Sequence, residues 1–157
     1  MGGDIVKFAK GEKIPAFELK DHNDNQLSLK EFEGKNVLLS FHPLAWTRVC
    51  RLQMEALEDN YEEFEANNTV PFGLSVDPSP SKKAWAEELG LENLRLVSDF
   101  WPHGEFADKL GIFYDSKGIS GRVNILVNDQ GEVLWSKEYD IHEEPDIEEV
   151  LEAVKNN

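Results

Sequence analysis

The sequence predicts an α/β fold, a three-layer domain with a mixed central sheet, and three observations carry that prediction. Strand-length apolar runs at 37–41 and 70–76 alternate with stretches of helical periodicity, the order that builds parallel strand–helix–strand units. Two later strand signals, 122–127 and 132–137, flank Asn128-Asp129-Gln130-Gly131, a turn that makes their pairing antiparallel. An amphipathic segment closes the pattern over 146–155, with Ile147, Val150, Leu151 and Val154 on one face.

The remaining elements follow in chain order. Residues 16–20 and 26–29 flank the turn cluster at 21–25, which predicts an N-terminal β-hairpin. A brief helical turn over 29–33 stops at Gly34. The run at 37–41 lacks polar alternation, as a strand covered on both faces does. One long helix is expected over 47–66, where Val49, Leu52, Gln53, Ala56, Leu57, Tyr61 and Phe64 recur at helical spacing. Asp77-Pro78-Ser79-Pro80-Ser81 then breaks the chain and offers caps for a helix over 82–89, ended by Gly90. A short strand at 95–97 and a short helix at 104–110, closed by Gly111, complete the order. With no repeat or dividing linker, the expectation is one domain over 1–157. A thioredoxin-like architecture satisfies this order, and so do several others.

Composition narrows the function classes. A net charge of −15 speaks against nucleic acid and against an anionic membrane surface, both of which select Lys and Arg. A single cysteine excludes an intramolecular disulfide and any cysteine-built zinc site. Residues 1–13 lack an apolar stretch of signal-peptide length, and no segment has the apolar length of a membrane span. The expectation is a cytoplasmic protein whose free thiol stays usable.

That thiol, Cys50, has an informative setting. It follows Phe41-His42-Pro43-Leu44-Ala45-Trp46-Thr47-Arg48-Val49, between the buried strand and the long helix. Backbone N–H groups and the positive end of the helix dipole converge there, and both favour a thiolate over a thiol. Thr47 stands where it would cap the helix. Gln53 lies about one turn beyond Cys50 on the same side. Trp46, Phe100 and Trp101 are candidates for an apolar mouth, or for plain core. His42 and His103 are the histidines a Cys–His hydrolase would need, although no spacing requires either. The cluster at 21–25 resembles the start of a calcium loop, but Gln26 stands where the sharp-turn Gly belongs and Phe32 where the closing Glu belongs. No metal and no cofactor are assigned.

At these residues the chain resembles a known family. Pro43, Thr47 and Cys50 match the Pro-x-x-x-Thr/Ser-x-x-Cys motif of peroxiredoxins. Ser98-Asp99-Phe100-Trp101-Pro102-His103-Gly104-Glu105, with Leu110-Gly111-Ile112-Phe113, is similar to the branch containing E-type alkyl hydroperoxide reductases. The resemblance runs from about 14 to 154. It implies a thioredoxin-like fold and a thiol-dependent peroxidase acting on hydrogen peroxide or organic hydroperoxides.

By the same resemblance Cys50 is the attacking thiolate. Thr47 and Arg122 bind the peroxide, Arg122 also holds the thiolate, and Pro43 fixes and shields the loop. Relatives commonly carry a polar residue at the position of Gln53. Many recycle the oxidised cysteine with a second cysteine, which this chain lacks. The resemblance then implies a one-cysteine cycle, with an external thiol (thioredoxin, glutaredoxin or a small thiol) attacking oxidised Cys50. It also implies a homodimer, to which 100–102 would contribute. Arg51 departs from the smaller residue or Pro usual in relatives. It would help bind an acidic reductant or lie solvated. The competing reading is a peroxide-responsive redox sensor or thiol-regulated interaction protein without efficient turnover.

Overall fold

The run at 37–41 becomes an interior strand of a seven-stranded sheet. In the computed structural model, which describes residues 8–157, the chain begins with β1 (Leu19–Asp21) and β2 (Gln26–Leu27), a 3-10 turn at Leu29–Phe32, and β3 (Asn36–Phe41). There follow α1 (Arg48–Asp59), α2 (Tyr61–Ala66), β4 (Thr69–Ser75), α3 (Ser79–Leu89), β5 (Arg95–Ser98) and α4 (Glu105–Lys109). A small ribbon of β6 (Phe113–Tyr114) and β7 (Ile119–Ser120) leads to β8 (Arg122–Val127), β9 (Val133–Tyr139) and α5 (Ile147–Lys155). The sheet order is β2-β1-β5-β4-β3-β8-β9. Strands β3, β4 and β5 pair in parallel, whereas β8, β9, β1 and β2 add antiparallel, so the sheet is mixed as expected.

Alternation along β3 builds both layers of core. Val37, Leu39 and Phe41 face one side, packing with Phe72, Leu74, Val123 and Ile125 and with Phe106 and Ala107 of α4. Leu38 faces the other side, with Met54 and Leu57 of α1, Trp85 of α3, and Val150, Leu151 and Val154 of α5. Each such buried aliphatic or aromatic side chain contributes about 1.5–3 kcal/mol. Gly73 sets how closely α1 approaches the sheet, because a Cβ there would collide with the Met54 sulfur. Among the described residues no helix is long and apolar enough to cross a membrane.

The structure corrects several boundaries. The expected single helix over 47–66 is two. Asn60 leaves helical geometry (φ −110°, ψ 17°), and both its backbone N–H and its side-chain Nδ2 donate to the Ala56 carbonyl. The asparagine side chain thus competes with the helical ladder, and the chain turns there. Helix α3 starts at Ser79, earlier than 82, because Pro80 falls within the first turn, where a missing N–H breaks no helical bond. The N-terminal hairpin is present with Leu19 opposite Leu27, but its first strand starts later than 16. The β6–β7 ribbon had no strand signal in the sequence, being two residues on each side.

Candidate active site

Register explains why a residue from β8 reaches the start of α1. Strand β8 runs antiparallel beside β3 with Val123 opposite Phe41, so Arg122 lies one step past the end of β3. The chain leaves β3 through His42 and buried Pro43, and α1 begins at Arg48. Cys50 is the third residue of α1 and is fully buried. Arg122 Nη1 lies 3.3 Å from Cys50 Sγ and donates at 2.8 Å to Gln53 Oε1. Its Nε donates at 3.1 Å to the Ile141 carbonyl, which Nη2 also contacts.

Among the described residues, none of these hydrogen-bond partners of Arg122 is a carboxylate. A guanidinium only 3% exposed is therefore held by neutral oxygens and one sulfur. An unpaired buried charge is costly, and the sulfur is the one partner able to carry the compensating negative charge.

Gln53 fixes the fork. Its Nε2 donates at 2.8 Å to Ser40 Oγ and at 3.2 Å to the Phe41 carbonyl, which leaves Oε1 aimed at Arg122. Ser40, the polar residue inside an otherwise apolar strand, is fully buried to serve this bond.

Thr47 takes the N-cap position with extended backbone (φ −95°, ψ 158°), yet its side chain caps no helix N–H. The sequence-based expectation of a side-chain cap is corrected: the hydroxyl instead donates at 2.9 Å to the Leu44 carbonyl. With its proton committed, the oxygen keeps its lone pairs for an incoming donor.

The loop between Pro43 and Thr47 is tied down from outside. Asp77 Oδ2 accepts from Ala45 N–H at 2.8 Å and from the Ser75 hydroxyl at 2.6 Å. Trp46 holds the left-handed backbone at φ 73°, a conformation disfavoured for a bulky side chain, and its Nε1 donates at 3.0 Å to Ser81 Oγ on α3.

Other candidates sit elsewhere. His103 pairs with the Gly118 carbonyl at 2.8 Å. His42 is fully buried, and burial followed by the nearby Lys82 and Arg122 charges pushes its pKa well below 6.5. It makes no hydrogen bond to Cys50 among the described contacts, so no Cys–His pair forms. Arg51 is exposed and pairs with Glu55 at 3.1 Å. Trp46 lies beside Thr47 and Arg48 in a shallow recess, but Phe100 and Trp101 line a separate groove with Pro78, Ser79 and Pro80. The turn at 21–25 is closed by Asp21 Oδ1, which accepts from Asn23 and Asn25 N–H groups, and Asp21 Oδ2 pairs with Arg95. Among the described residues no cluster of His, Cys, Asp and Glu is placed to hold a metal ion.

One part of this arrangement escaped the sequence reading. Lys82 lies fully buried on the inner face of α3, touching His42 and Ser75. A lysine at helical spacing with Trp85, Ala86 and Leu89 was the available signal.

With the geometry in place, comparison decides the family. The family model described as AhpC/TSA matches residues 10–136. The chain belongs to the AhpC/TSA family. Its peroxiredoxin relatives include alkyl hydroperoxide reductase E of Mycobacterium tuberculosis, 37% identical over 81% of this chain and 83% of the relative. Peroxiredoxin Q of Triticum aestivum is 31% identical, over 96% of this chain and 68% of its own. The crystal structure of Enterococcus faecalis AhpC superposes with a TM-score of 0.86, covering 94% of this chain and 90% of that one at 21% identity. This likeness establishes the thioredoxin-like fold. Peroxiredoxins are thiol-dependent peroxidases, and this chain is accordingly an oxidoreductase of that class.

Proposed function

We propose that this peroxiredoxin reduces hydrogen peroxide or small organic hydroperoxides at Cys50, and that an external thiol completes the cycle. The observation that carries this reading is the buried Arg122 fork, 3.3 Å from Cys50 Sγ and without a carboxylate among its partners in the described residues. Negative charge on the sulfur balances the guanidinium, and the thiolate is the reactive form.

In the proposed first step the Cys50 thiolate attacks the hydroxyl-bearing oxygen of the peroxide. An S–O bond forms, the O–O bond breaks, and the leaving oxygen departs with the electron pair as alkoxide or hydroxide. Sulfur is oxidised to Cys50-SOH and the leaving oxygen is reduced, taking a proton from water. Arg122 has donors for the departing oxygen, where charge develops. The Thr47 hydroxyl accepts from the peroxide O–H, and Pro43 limits water around the sulfur. A first external thiol then displaces water from Cys50-SOH to form a mixed disulfide, and a second releases Cys50. The chain's single cysteine supports the external route.

The same reading includes a cytoplasmic setting, where Cys50 returns to the reduced state between cycles. It also includes a homodimer, as peroxiredoxins often are, supported by the exposed apolar side chains Leu44, Trp46, Phe100 and Trp101. Sedimentation equilibrium checks the dimer.

Steady-state peroxide consumption with dithiothreitol, glutathione, a thioredoxin and a glutaredoxin tests the cycle, on this protein and on Cys50→Ser. The reading expects many turnovers with at least one thiol and none for Cys50→Ser. One equivalent consumed per chain and no more would favour a sensor, and unaltered turnover in Cys50→Ser would refute the site.

A further inference from the structure

The active site is backed by a second buried cation that the cycle above does not use. Lys82, near the start of α3, is fully buried, as is His42. Its Nζ donates to Ser75 Oγ and lies 3.2 Å from His42 Nε2. The Ser75 hydroxyl in turn donates a hydrogen bond to Asp77 Oδ2, the carboxylate that also accepts from Ala45 N–H. Lysine, serine and aspartate therefore form a chain of hydrogen bonds ending on the loop that carries Pro43 and Thr47. Such a chain strengthens each member by polarisation. A buried lysine with no carboxylate bonded to it among the described residues is a costly choice where methionine would fill the space.

We propose that Lys82 is a positioning residue for the reaction of Cys50: its buried ammonium, anchored by Ser75 and by His42 at the end of β3 where the Cys50 loop departs, adds a second positive charge to the surroundings of Cys50 and makes the peroxide reaction pH-sensitive. The inference rests on the peroxidase reading for its rate consequence, and on the contacts of Lys82 with His42 and Ser75 for its placement.

The groups around Lys82 fix the sign. Burial pushes its pKa down from 10.5 to about 7, against the attraction of Asp77, Cys50 and Asp99. His42, between Lys82 and Arg122, is kept neutral by the same burial and by both cations. His22, in the turn between β1 and β2, also feels the Lys82 charge and is lowered chiefly by burial. The Lys82 charge is thus present below about pH 7 and lost above it. Its help to a thiolate is greatest on the acid side and vanishes on the alkaline side.

Two experiments test this. The first follows the Lys82 side chain by carbon-detected NMR against pH, without peroxide, in the reduced protein and in Cys50→Ser. Binding linkage is reciprocal, so removing the negative sulfur must shift the Lys82 midpoint to lower pH. An identical midpoint in both proteins overturns the proposal.

The second compares the peroxide rate constant of Lys82→Met with the unsubstituted protein. The ratio should fall from about fivefold at pH 6 towards one at pH 8.5, the size expected for one buried charge acting on another without direct contact. A loss that is the same at every pH would mark Lys82 as merely structural. If Lys82→Met does not fold, the NMR comparison decides alone. A shifted midpoint in a protein that consumes no peroxide upholds the coupling and refutes the peroxidase reading. Peroxide turnover with an unshifted midpoint does the reverse.

Discussion

Arg122 and Cys50 stand 72 residues apart in the chain and 3.3 Å apart in space, joined by the antiparallel register of β8 on β3. That register also brings Gln53 Oε1 within 2.8 Å of the same Nη1. A fork with two acceptors and a sulfur in fixed positions is already arranged for charge that develops during reaction.

Shortening the fork should therefore cost rate. Arg122→Gln is expected to lower the rate constant for peroxide by about 10²–10³, the range for removing a donor aimed at developing charge. Arg122→Lys should recover only part, since a point charge cannot hold Ile141, Gln53 and the sulfur together. Rapid-mixing kinetics on Trp fluorescence reads both. Near-normal rates in Arg122→Gln would remove Arg122 from the site.

Gln53 links rate to stability. Gln53→Leu leaves Ser40 Oγ and one Arg122 N–H without partners in a buried setting. Urea denaturation should show a loss of about 1–3 kcal/mol, together with slower peroxide reaction as the guanidinium loses its anchor. A variant as stable and as fast as the parent would show that the Gln53 bonds are dispensable.

Thr47 separates hydroxyl from shape. Thr47→Val removes the bond to Leu44 and the free lone pairs while keeping the branched side chain. The expected loss in peroxide rate is about 10²-fold, with Thr47→Ser near the parent. Since Thr47 makes no side-chain cap, unfolding of Thr47→Val should shift by less than about 1 kcal/mol. A large stability loss with unchanged rate would return Thr47 to a purely capping role.

Stability should rise with pH on the alkaline side of neutrality. Unfolded Lys82 holds its proton up to 10.5 while the folded group releases it near 7, so the unfolded chain binds more protons in that window. His42 acts in the same direction lower down: folded His42 stays neutral well below 6.5, so stability is lost as pH falls through 6.5. Tyr114, pushed up to about 12 by burial and by Glu138, reverses the trend above pH 10. Urea denaturation should show a gain of about 2 kcal/mol between pH 7 and 9, a gain absent in Lys82→Met. A flat profile contradicts this account of the buried pair.

Much of the fold was legible because its signals were local. The apolar run at 37–41, Gly90 and Gly111 at helix ends, and the turn at 128–131 each specify structure within a few residues. The break at Asn60 was not legible, because a single asparagine within a helical pattern reads as tolerated until its side chain is seen on Ala56. Cys50, Thr47 and Pro43 stand out in the sequence as one short motif, and Arg122 through the resemblance together with its place at the start of a strand. What sequence could not supply was register across the sheet. That register brings Arg122 to Cys50 and Gln53, while the packing of α1 on β3 pairs Gln53 with Ser40 and the packing of α3 on the sheet buries Lys82.

The most direct measurement mixes the reduced protein with one equivalent of hydrogen peroxide, without any thiol, and follows oxygen incorporation by rapid quench and peptide mass spectrometry. The account predicts one oxygen atom per chain, on the peptide carrying Cys50, gained orders of magnitude faster than by a free cysteine and removed on adding a dithiol. Oxidation at free-cysteine rates, or oxygen appearing on other residues in Cys50→Ser at the same speed, would contradict it.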